Sequence, residues 1–163
     1  MTSPQVPEPP TTAERVTRDL TVQHPWSIID VGEILDERGC IVVVPDGLSQ
    51  DPDFDLQRVY FLYTEREDVE RGNHAHRRLH QLILCLHGSM TVELDDGSRK
   101  ESFLLNSRKH ALKVGPLVWR RLHSSSPGSI CAVLASLPYD PDDYISSYDE
   151  FRLATAAIGR SAT

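Results

Sequence analysis

Short apolar stretches separated by turn residues recur along the chain from Trp26 onward. Each stretch is rich in β-branched or aromatic residues, which is the pattern of a strand. The sequence predicts about ten strands: Trp26 to Val31, Cys40 to Pro45, Arg58 to Tyr63, Gly72 to Arg77, Gln81 to His87, Met90 to Leu94, Lys100 to Leu105, Ala111 to Val114, Val118 to His123 and Ser129 to Ser136.

Turn residues mark the ends of these strands. Asp95-Asp96-Gly97 lies between two alternating segments and is the strongest hairpin signal in the chain, because an Asp-Gly pair suits the positive φ angles of tight hairpin turns. Gly88-Ser89, Gly115-Pro116 and Pro127-Gly128 separate other pairs of strands. Many short strands at close spacing predict an all-β sandwich or barrel.

Both ends of the chain depart from the strand pattern. Residues 1–12 hold four of the eleven prolines and predict a disordered tail, and a short helical turn is predicted around Ala13 to Leu20. Asp140-Pro141-Asp142-Asp143 combines a capping residue, an early proline and first-turn acids, which predicts a short helix to about Arg152. We therefore expect one domain over residues 13–152 and a frayed C-terminus over 153–163.

Composition narrows the class of protein. The 163 residues carry a net charge of -7, and no cluster of Lys and Arg exceeds two residues, which disfavours nucleic acid as a ligand. The longest apolar run, Leu82 to Leu86, is far shorter than a membrane-spanning helix, and no secretory signal is visible. The three cysteines are widely spaced and form no CxxC pair, so we expect buried thiols in a reducing cytoplasm.

The histidines His74 and His76 are the first candidates for chemistry. Residues two apart in a strand share a face, so both imidazoles project to the same side. Such a pair serves as metal ligands or as acid and base groups, or it lies on a solvated face without a role. Their spacing to Gln81 and Gly88 resembles the first motif of the cupin superfamily.

Two departures from the cupin pattern argue against a metal. Gln81 is a neutral amide where cupins usually carry a metal-binding glutamate, and Trp119 stands where the second motif should supply a histidine. Two ligands remain, whereas catalytic zinc sites have three from the protein, and His123 is the one further candidate. We expect a metal-free site.

A more specific resemblance covers Leu56 to Phe151. The chain resembles the WxcM-like cupin sugar 3,4-ketoisomerases, which act on dTDP-4-keto-6-deoxyglucose. The motifs that carry this resemblance are Arg71 to Arg77, Gln81, Gly88-Ser89, Val114-Gly115-Pro116, Trp119, Leu134-Ala135-Ser136, Tyr139, Asp142-Asp143-Tyr144 and Tyr148 to Phe151. The resemblance implies a cupin-type jelly-roll barrel, no cofactor, and a homodimer that exchanges its N-terminal strand region. It also implies an enediol route from the 4-keto to the 3-keto sugar, in biosynthesis of a deoxyamino sugar.

The resemblance also implies roles for individual residues. It places His74 and His76 in the active site as the acid and base pair, without indicating which removes the C3 proton. Alternation places Tyr60 on the same strand face as Arg58, and Tyr60 is the expected third catalytic group. A tyrosine packed in the core is the plainer alternative. The expected substrate-binding residues are Arg58, Arg71, Arg78, Gln81, Trp119 and Arg121.

Other functions remain open at this stage. A dTDP-sugar epimerase of the cupin type pairs its histidine with an aspartate, and no aspartate accompanies His74 and His76 in their motif. A binding module without turnover and a metal-dependent dioxygenase are further alternatives. The acidic run from Asp140 to Asp149 is attributed to the helix start and to solvent. The sequence leaves the C4 stereochemistry of the product and the nucleotide preference open.

Overall fold

The computed structural model describes residues 24–44, 54–66 and 69–159. The predicted tail over 1–12 and the helical turn around Ala13 to Leu20 lie outside these residues. The described elements are β1 (Trp26–Asp30), β2 (Gly32–Asp36), β3 (Gly39–Val43), β4 (Arg58–Thr64), β5 (Glu70–His76), β6 (Gln81–His87), β7 (Met90–Asp95), β8 (Lys100–Leu105), β9 (His110–Val114), β10 (Trp119–Ser124), β11 (Ser129–Ala135), β12 (Tyr144–Ile145) and α1 (Tyr148–Ala157).

Ten of these strands form two five-stranded sheets. The first sheet has the order β1-β9-β6-β11-β4, the second has the order β12-β5-β10-β7-β8, and β2 and β3 form a separate hairpin. Every strand pair is antiparallel. The predicted all-β fold is confirmed, in the form of a jelly-roll sandwich whose two sheets are not joined into a closed barrel among the described residues.

The sheets bury apolar side chains on both sides of β6. Ile83 and Cys85 belong to the main core between the sheets, while Leu82 and Leu84 belong to a second cluster on the outer face of the first sheet. Phe54 and residues beside the β2–β3 hairpin cover that second cluster. Burial on both faces explains why β6 reads as a continuous apolar run rather than an alternating one.

The C-terminal helix begins later than the sequence predicts. Asp140 caps only a short 3-10 turn over Pro141–Asp143, and β12 follows, pairing with β5. The helix α1 starts after Ser147, whose hydroxyl accepts a hydrogen bond from the Glu150 N–H. The cause is Tyr144 and Ile145, two good strand formers that pair with β5 and interrupt the helical start.

The helix α1 continues past residue 153 to Ala157, within the segment for which fraying was predicted. Thr155 is fully buried against the turn between β7 and β8, where a side chain on Gly97 would meet it. That contact holds the last turn of α1 on the second sheet. Neither helical segment of the described chain has the length and apolar content that crossing a membrane requires.

Gly97 provides a test of this contact. We expect Gly97→Ala to lower the free energy of unfolding by about 3 kcal/mol, because φ is +94° and a Cβ would lie 2.8 Å from the Thr155 Cβ. Gly128 has a φ of +70° with open space around it, so we expect Gly128→Ala to cost only about 1 kcal/mol. Equal losses in urea unfolding of the two variants would contradict the docking contact.

Candidate active site

A cavity of about 260 Å³ opens between the two sheets. Strands of both sheets supply its polar wall: Arg58 and Tyr60 from β4, Arg71 and His74 from β5, Gln81 from β6, Arg120 from β10 and Tyr144 from β12. Five of these, namely Arg58, Tyr60, Arg71, His74 and Gln81, are among the residues singled out in the sequence. The predicted alternation of β4 is confirmed, since Val59 and Phe61 are exposed on its other face.

Three predicted substrate-binding residues do not line this cavity, and neither does His76, whose Nε2 is buried without a hydrogen-bond partner among the described residues. The Arg78 side chain is 66% exposed and pairs with Asp140 at 2.9 Å. Arg121 faces outward and pairs with Glu70 at 2.7 Å. Arg78 also lies 3.6 Å from the buried carboxylate of Asp143, and neither arginine lines the cavity.

Trp119 is the third predicted substrate-binding residue that does not line the cavity. Its ring lies 5.2 Å from the Tyr148 ring and 5.6 Å from the Phe151 ring, between centroids. The indole is therefore packed beneath α1, which corresponds to the plainer reading of a buried aromatic in a β core.

His76 forms a buried pair with Asp143, which the sequence analysis did not identify. The Nδ1 of His76 lies 3.1 Å from Oδ2 of Asp143, and the side chains are 1% and 4% exposed. Asp143 also accepts a hydrogen bond of 2.9 Å from the Arg78 backbone N–H. The attribution of the whole acidic run to the helix start and solvent is therefore wrong for Asp143. Because Asp143 is an acceptor, the proton of neutral His76 lies on Nδ1 and leaves Nε2 with a lone pair.

The two imidazoles lie side by side, with ring centroids 4.8 Å apart. His74 Nδ1 is 3.0 Å from the Gly72 carbonyl oxygen, so His74 also holds its proton on Nδ1 when neutral. Burial and the nearby Arg120 guanidinium lower the pKa of His74 to about 4. Burial lowers the pKa of His76 as well, and the charges of Arg120 and Arg58 and the neighbouring His74 ring lower it further. Both rings are neutral near pH 7.

Arg120, Gln81 and Tyr60 form a chain of hydrogen bonds on the opposite wall. Arg120 is 1% exposed and donates through Nη1 to Oε1 of Gln81. The Gln81 Nε2 donates to the Tyr60 hydroxyl at 2.7 Å. Gln81 was expected among the substrate-binding residues, and its amide contacts Tyr60 and Arg120 at the cavity wall. Alternation along β10 places Arg120 and Leu122 on the inner face, a signal from which Arg120 could have been found.

These residues do not fit a divalent metal ion. The Gln81 oxygen accepts from a guanidinium, and that positive charge lies close enough to depress the pKa of both histidines, so it would also repel a cation. His123, the third ligand considered, faces outward with Nε2 3.7 Å from Glu93. Among residues 24–44, 54–66 and 69–159, no three metal-binding side chains converge. Metal independence of the reaction stays a prediction.

The cavity is suited instead to an anion. Arg58, Arg71 and Arg120 line it, and no carboxylate from the described residues does. The Arg58 guanidinium lies over the Tyr60 ring, 5.2 Å from its centroid, and Arg58 Nε is buried without a hydrogen-bond partner among the described residues. Guanidinium groups match the geometry of phosphate oxygens. A local positive site thus exists in a chain whose net charge is -7.

The jelly-roll sandwich, with two histidines on one inner strand, defines a cupin-type protein. The family model FdtA, described as WxcM-like, C-terminal, matches residues 24–156. The chain therefore belongs to this WxcM-like family, as the motifs between Leu56 and Phe151 predicted.

The chain is similar to several named enzymes. The chain is 38% identical over 131 residues to the TDP-4-oxo-6-deoxy-alpha-D-glucose-3,4-oxoisomerase of Aneurinibacillus thermoaerophilus, covering 80% of this chain and 93% of that protein. QdtA, a sugar 3,4-ketoisomerase from Thermoanaerobacterium thermosaccharolyticum solved in complex with TDP, matches with a TM-score of 0.77 and 32% identity, covering 84% of this chain and 98% of QdtA. A 3,4-ketoisomerase from Helicobacter canadensis matches with a TM-score of 0.75 and 32% identity, covering 82% and 99%.

Proposed function

We propose that this protein is a sugar-nucleotide 3,4-ketoisomerase that converts dTDP-4-keto-6-deoxy-D-glucose to the dTDP-3-keto-6-deoxy sugar. The similarity to named 3,4-ketoisomerases over most of their length supports the reaction. The observation that carries the proposal is the cavity itself, which His74 and Tyr60 line together with Arg58 and Arg71, and the buried His76 ring lies 4.8 Å from the His74 ring. It offers acid and base groups for proton transfer together with a site for a diphosphate.

The substrate is held by charge and by shape. Arg58 and Arg71 bind the diphosphate oxygens, since both residues line the cavity and no carboxylate of the described residues pairs with them. The sugar then lies toward His74 and Tyr60, deeper between the sheets.

The reaction moves two hydrogens within the sugar. The Nε2 lone pair of His76 takes the proton from C3, and the C3–H electrons form the C3–C4 double bond as the C4 carbonyl oxygen becomes an enolate. Tyr60 donates a hydrogen bond to that oxygen and exchanges its proton between O4 and O3. His74 assists protonation at C4 by the proton taken from C3, and the carbonyl forms at C3. Burial raises the pKa of Tyr60, so the phenol keeps its proton for this task.

Incubation with dTDP-4-keto-6-deoxyglucose tests the proposed function. We expect NMR to show the 3-keto product without any added cofactor or metal. Tight binding of TDP in calorimetry without any product would support a binding module instead. That outcome would contradict the proposed enzymatic activity, but it would be consistent with a binding site for the nucleotide.

A second candidate function is a sugar-nucleotide epimerase of the cupin type. The contact between His76 and Asp143 favours it, because it supplies the aspartate whose absence from the histidine motif argued against it. The two reactions differ in the hydrogens they exchange. A 3,5-epimerase removes the C5 proton as well as the C3 proton, whereas a 3,4-ketoisomerase has no need to touch C5. Solvent exchange at C5 therefore separates them.

The lowered histidine pKa values give a pH prediction. The base must be neutral to accept a proton, so activity is lost as pH falls through the pKa of the folded enzyme. Because burial and Arg120 lower the pKa of the base His76, and lower that of His74 to about 4, we expect kcat/KM to stay level from pH 8 to about pH 6. Initial-rate measurements should show kcat/KM falling only below pH 6. A half-loss at pH 6.5, the ordinary value for histidine, would contradict the assigned environment.

We also propose that two copies associate through the outer face of the first sheet, exchanging the N-terminal β2–β3 region. In the single chain, Val59, Phe61 and Tyr63 on edge strand β4 are 47%, 51% and 65% exposed. Ile34 and Leu35 of the hairpin are 48% and 67% exposed. Apolar surface beside an open sheet edge favours pairing with another copy.

Light scattering with chromatography tests the assembly. We expect a dimer for the natural chain and a monomer for Phe61→Lys, because a buried lysine would be left without a partner. Leu153→Lys is the matched control, since Leu153 is equally apolar, 74% exposed and on α1. A natural chain that is monomeric at micromolar concentration would contradict the proposal.

The cysteines bear on the cellular compartment. Cys85 and Cys131 lie opposite each other on paired strands, and both are free thiols. We propose a cytoplasmic enzyme, because the cytosol keeps such thiols reduced. Cell fractionation measures the location directly.

A further inference from the structure

We propose that Arg120 is a positioning residue, which acts through Gln81 to direct the Tyr60 proton into the cavity and whose buried charge lies across from His74 on the paired strands β5 and β10. This inference rests on the proposed function. It gives a role to a cation whose side chain is 1% exposed. The argument has three steps: the orientation of the Gln81 amide, the direction of the Tyr60 hydroxyl, and the position of the charge.

Arg120 fixes the Gln81 amide in one orientation. A guanidinium has donors only, so the atom of Gln81 that faces Arg120 Nη1 is the carbonyl oxygen. The NH₂ group therefore faces Tyr60. In a flipped amide the NH₂ group of Gln81 would face the Arg120 guanidinium, so that two donors would meet. Because the site is buried, water could not supply the missing acceptor.

The fixed amide determines what the Tyr60 hydroxyl can do. Gln81 Nε2 donates to the Tyr60 oxygen at 2.7 Å, so that oxygen acts as the acceptor in this bond. The phenolic proton must then point elsewhere, and the open side of Tyr60 is the cavity wall that it shares with His74. Accepting a hydrogen bond also makes the phenol a better donor toward a substrate oxygen.

The Arg120 charge has no carboxylate partner within 4 Å among the described residues. Its remaining bonds go to neutral carbonyl oxygens, at 2.9 Å to Val118 and 3.3 Å to Gly115. Burial lowers the pKa of Arg120 to about 10, so the group stays positive at neutral pH. Burying an unpaired cation costs stability, so packing alone does not account for this arginine. Its position directly across from His74 in the β5–β10 pairing accounts for it.

Gln81→Glu tests the orientation with almost no change in shape. The introduced carboxylate still accepts from Arg120 but cannot donate, so Tyr60 must donate to it and its proton leaves the cavity. At pH 8 with a chelator present, we expect kcat to fall by about a hundredfold and KM to change less than threefold. Calorimetry should show that the variant binds TDP with the affinity of the natural chain. Thermal unfolding should show that the variant is folded.

A double variant distinguishes an effect of Gln81 on Tyr60 from a general disturbance of the active site. If Gln81 acts through Tyr60, Tyr60→Phe with Gln81→Glu should be no slower than Tyr60→Phe alone. If the losses of kcat in the two single variants add up in the double variant, or if Gln81→Glu keeps the kcat of the natural chain, the inference is overturned. The proposed function would still stand, provided that the natural chain isomerises the sugar. A natural chain that produces no 3-keto sugar would overturn the proposed function and this inference with it.

The charge is tested by the pH profile of Arg120→Met. Removing the guanidinium should move the acid limb of kcat/KM upward by one pH unit or more, because His74 and His76 lose its repulsion. Arg120→Lys keeps the charge and should leave the limb in place while lowering kcat. Arg108→Met, in the exposed turn between β8 and β9, controls for the loss of one positive charge. An unchanged acid limb in Arg120→Met would contradict the electrostatic role.

Discussion

Replacing His76 by asparagine should lower kcat for 3,4-ketoisomerisation about a thousandfold. A positioned general base contributes about a hundred- to ten-thousand-fold, and His76 is the imidazole whose tautomer Asp143 fixes. Asparagine can still donate its amide N–H to Asp143, so the buried carboxylate keeps a partner. The loss should therefore appear in kcat and in C3 proton exchange rather than in folding.

Binding and stability measurements separate this loss from a collapse of the site. The His76→Asn variant should bind TDP within threefold of the natural affinity, since the proposed diphosphate ligands are Arg58 and Arg71. Its melting temperature should stay within a few degrees. A variant that keeps more than a tenth of the natural kcat would contradict the assignment of His76 as the base.

Replacing Asp143 by asparagine should lower kcat about a hundredfold or more. The carboxylate accepts from His76 Nδ1, whereas a carboxamide can donate to that nitrogen and so place the imidazole proton on Nε2. The lone pair that would accept the C3 proton is then lost. Aspartate-to-asparagine changes beside a catalytic histidine act in this way in serine proteases.

Asp140→Asn is the matched control for that experiment. Asp140 lies on the same 3-10 turn, and its side chain pairs with the exposed Arg78. Asparagine caps as well as aspartate does, so the turn should persist and kcat should stay within threefold. Similar losses in both variants would show that the turn, rather than the carboxylate at His76, matters.

The strands were predictable where local pattern and tertiary environment agree. Asp95-Asp96-Gly97 predicted the β7–β8 hairpin correctly, because the turn chemistry acts within four residues. Alternation along β4 placed Arg58 and Tyr60 correctly on the inner face. The strand β2 was missed, because its apolar residues Ile34 and Leu35 sit between Gly32 and polar neighbours and remain exposed.

The site was only partly predictable, for a related reason. His74, Gln81 and Tyr60 carry local signals in a motif or an alternating strand. Asp143 reaches His76 across 67 positions of sequence, through the pairing of β12 with β5, and no local pattern encodes that contact. The misplaced helix start has the same origin, since tertiary pairing of Tyr144 and Ile145 overrides the capping signal before them.

Proton NMR of dTDP-4-keto-6-deoxyglucose incubated with the enzyme in D₂O tests the central claim most directly. We expect the C3 proton signal of the substrate to fade as the 3-keto product appears, while the C5 proton stays in place. His76→Asn should slow the loss of the C3 proton signal about a thousandfold. Loss of the C5 signal would indicate an epimerase, and retention of the C3 proton in unchanged substrate would contradict the proposed reaction.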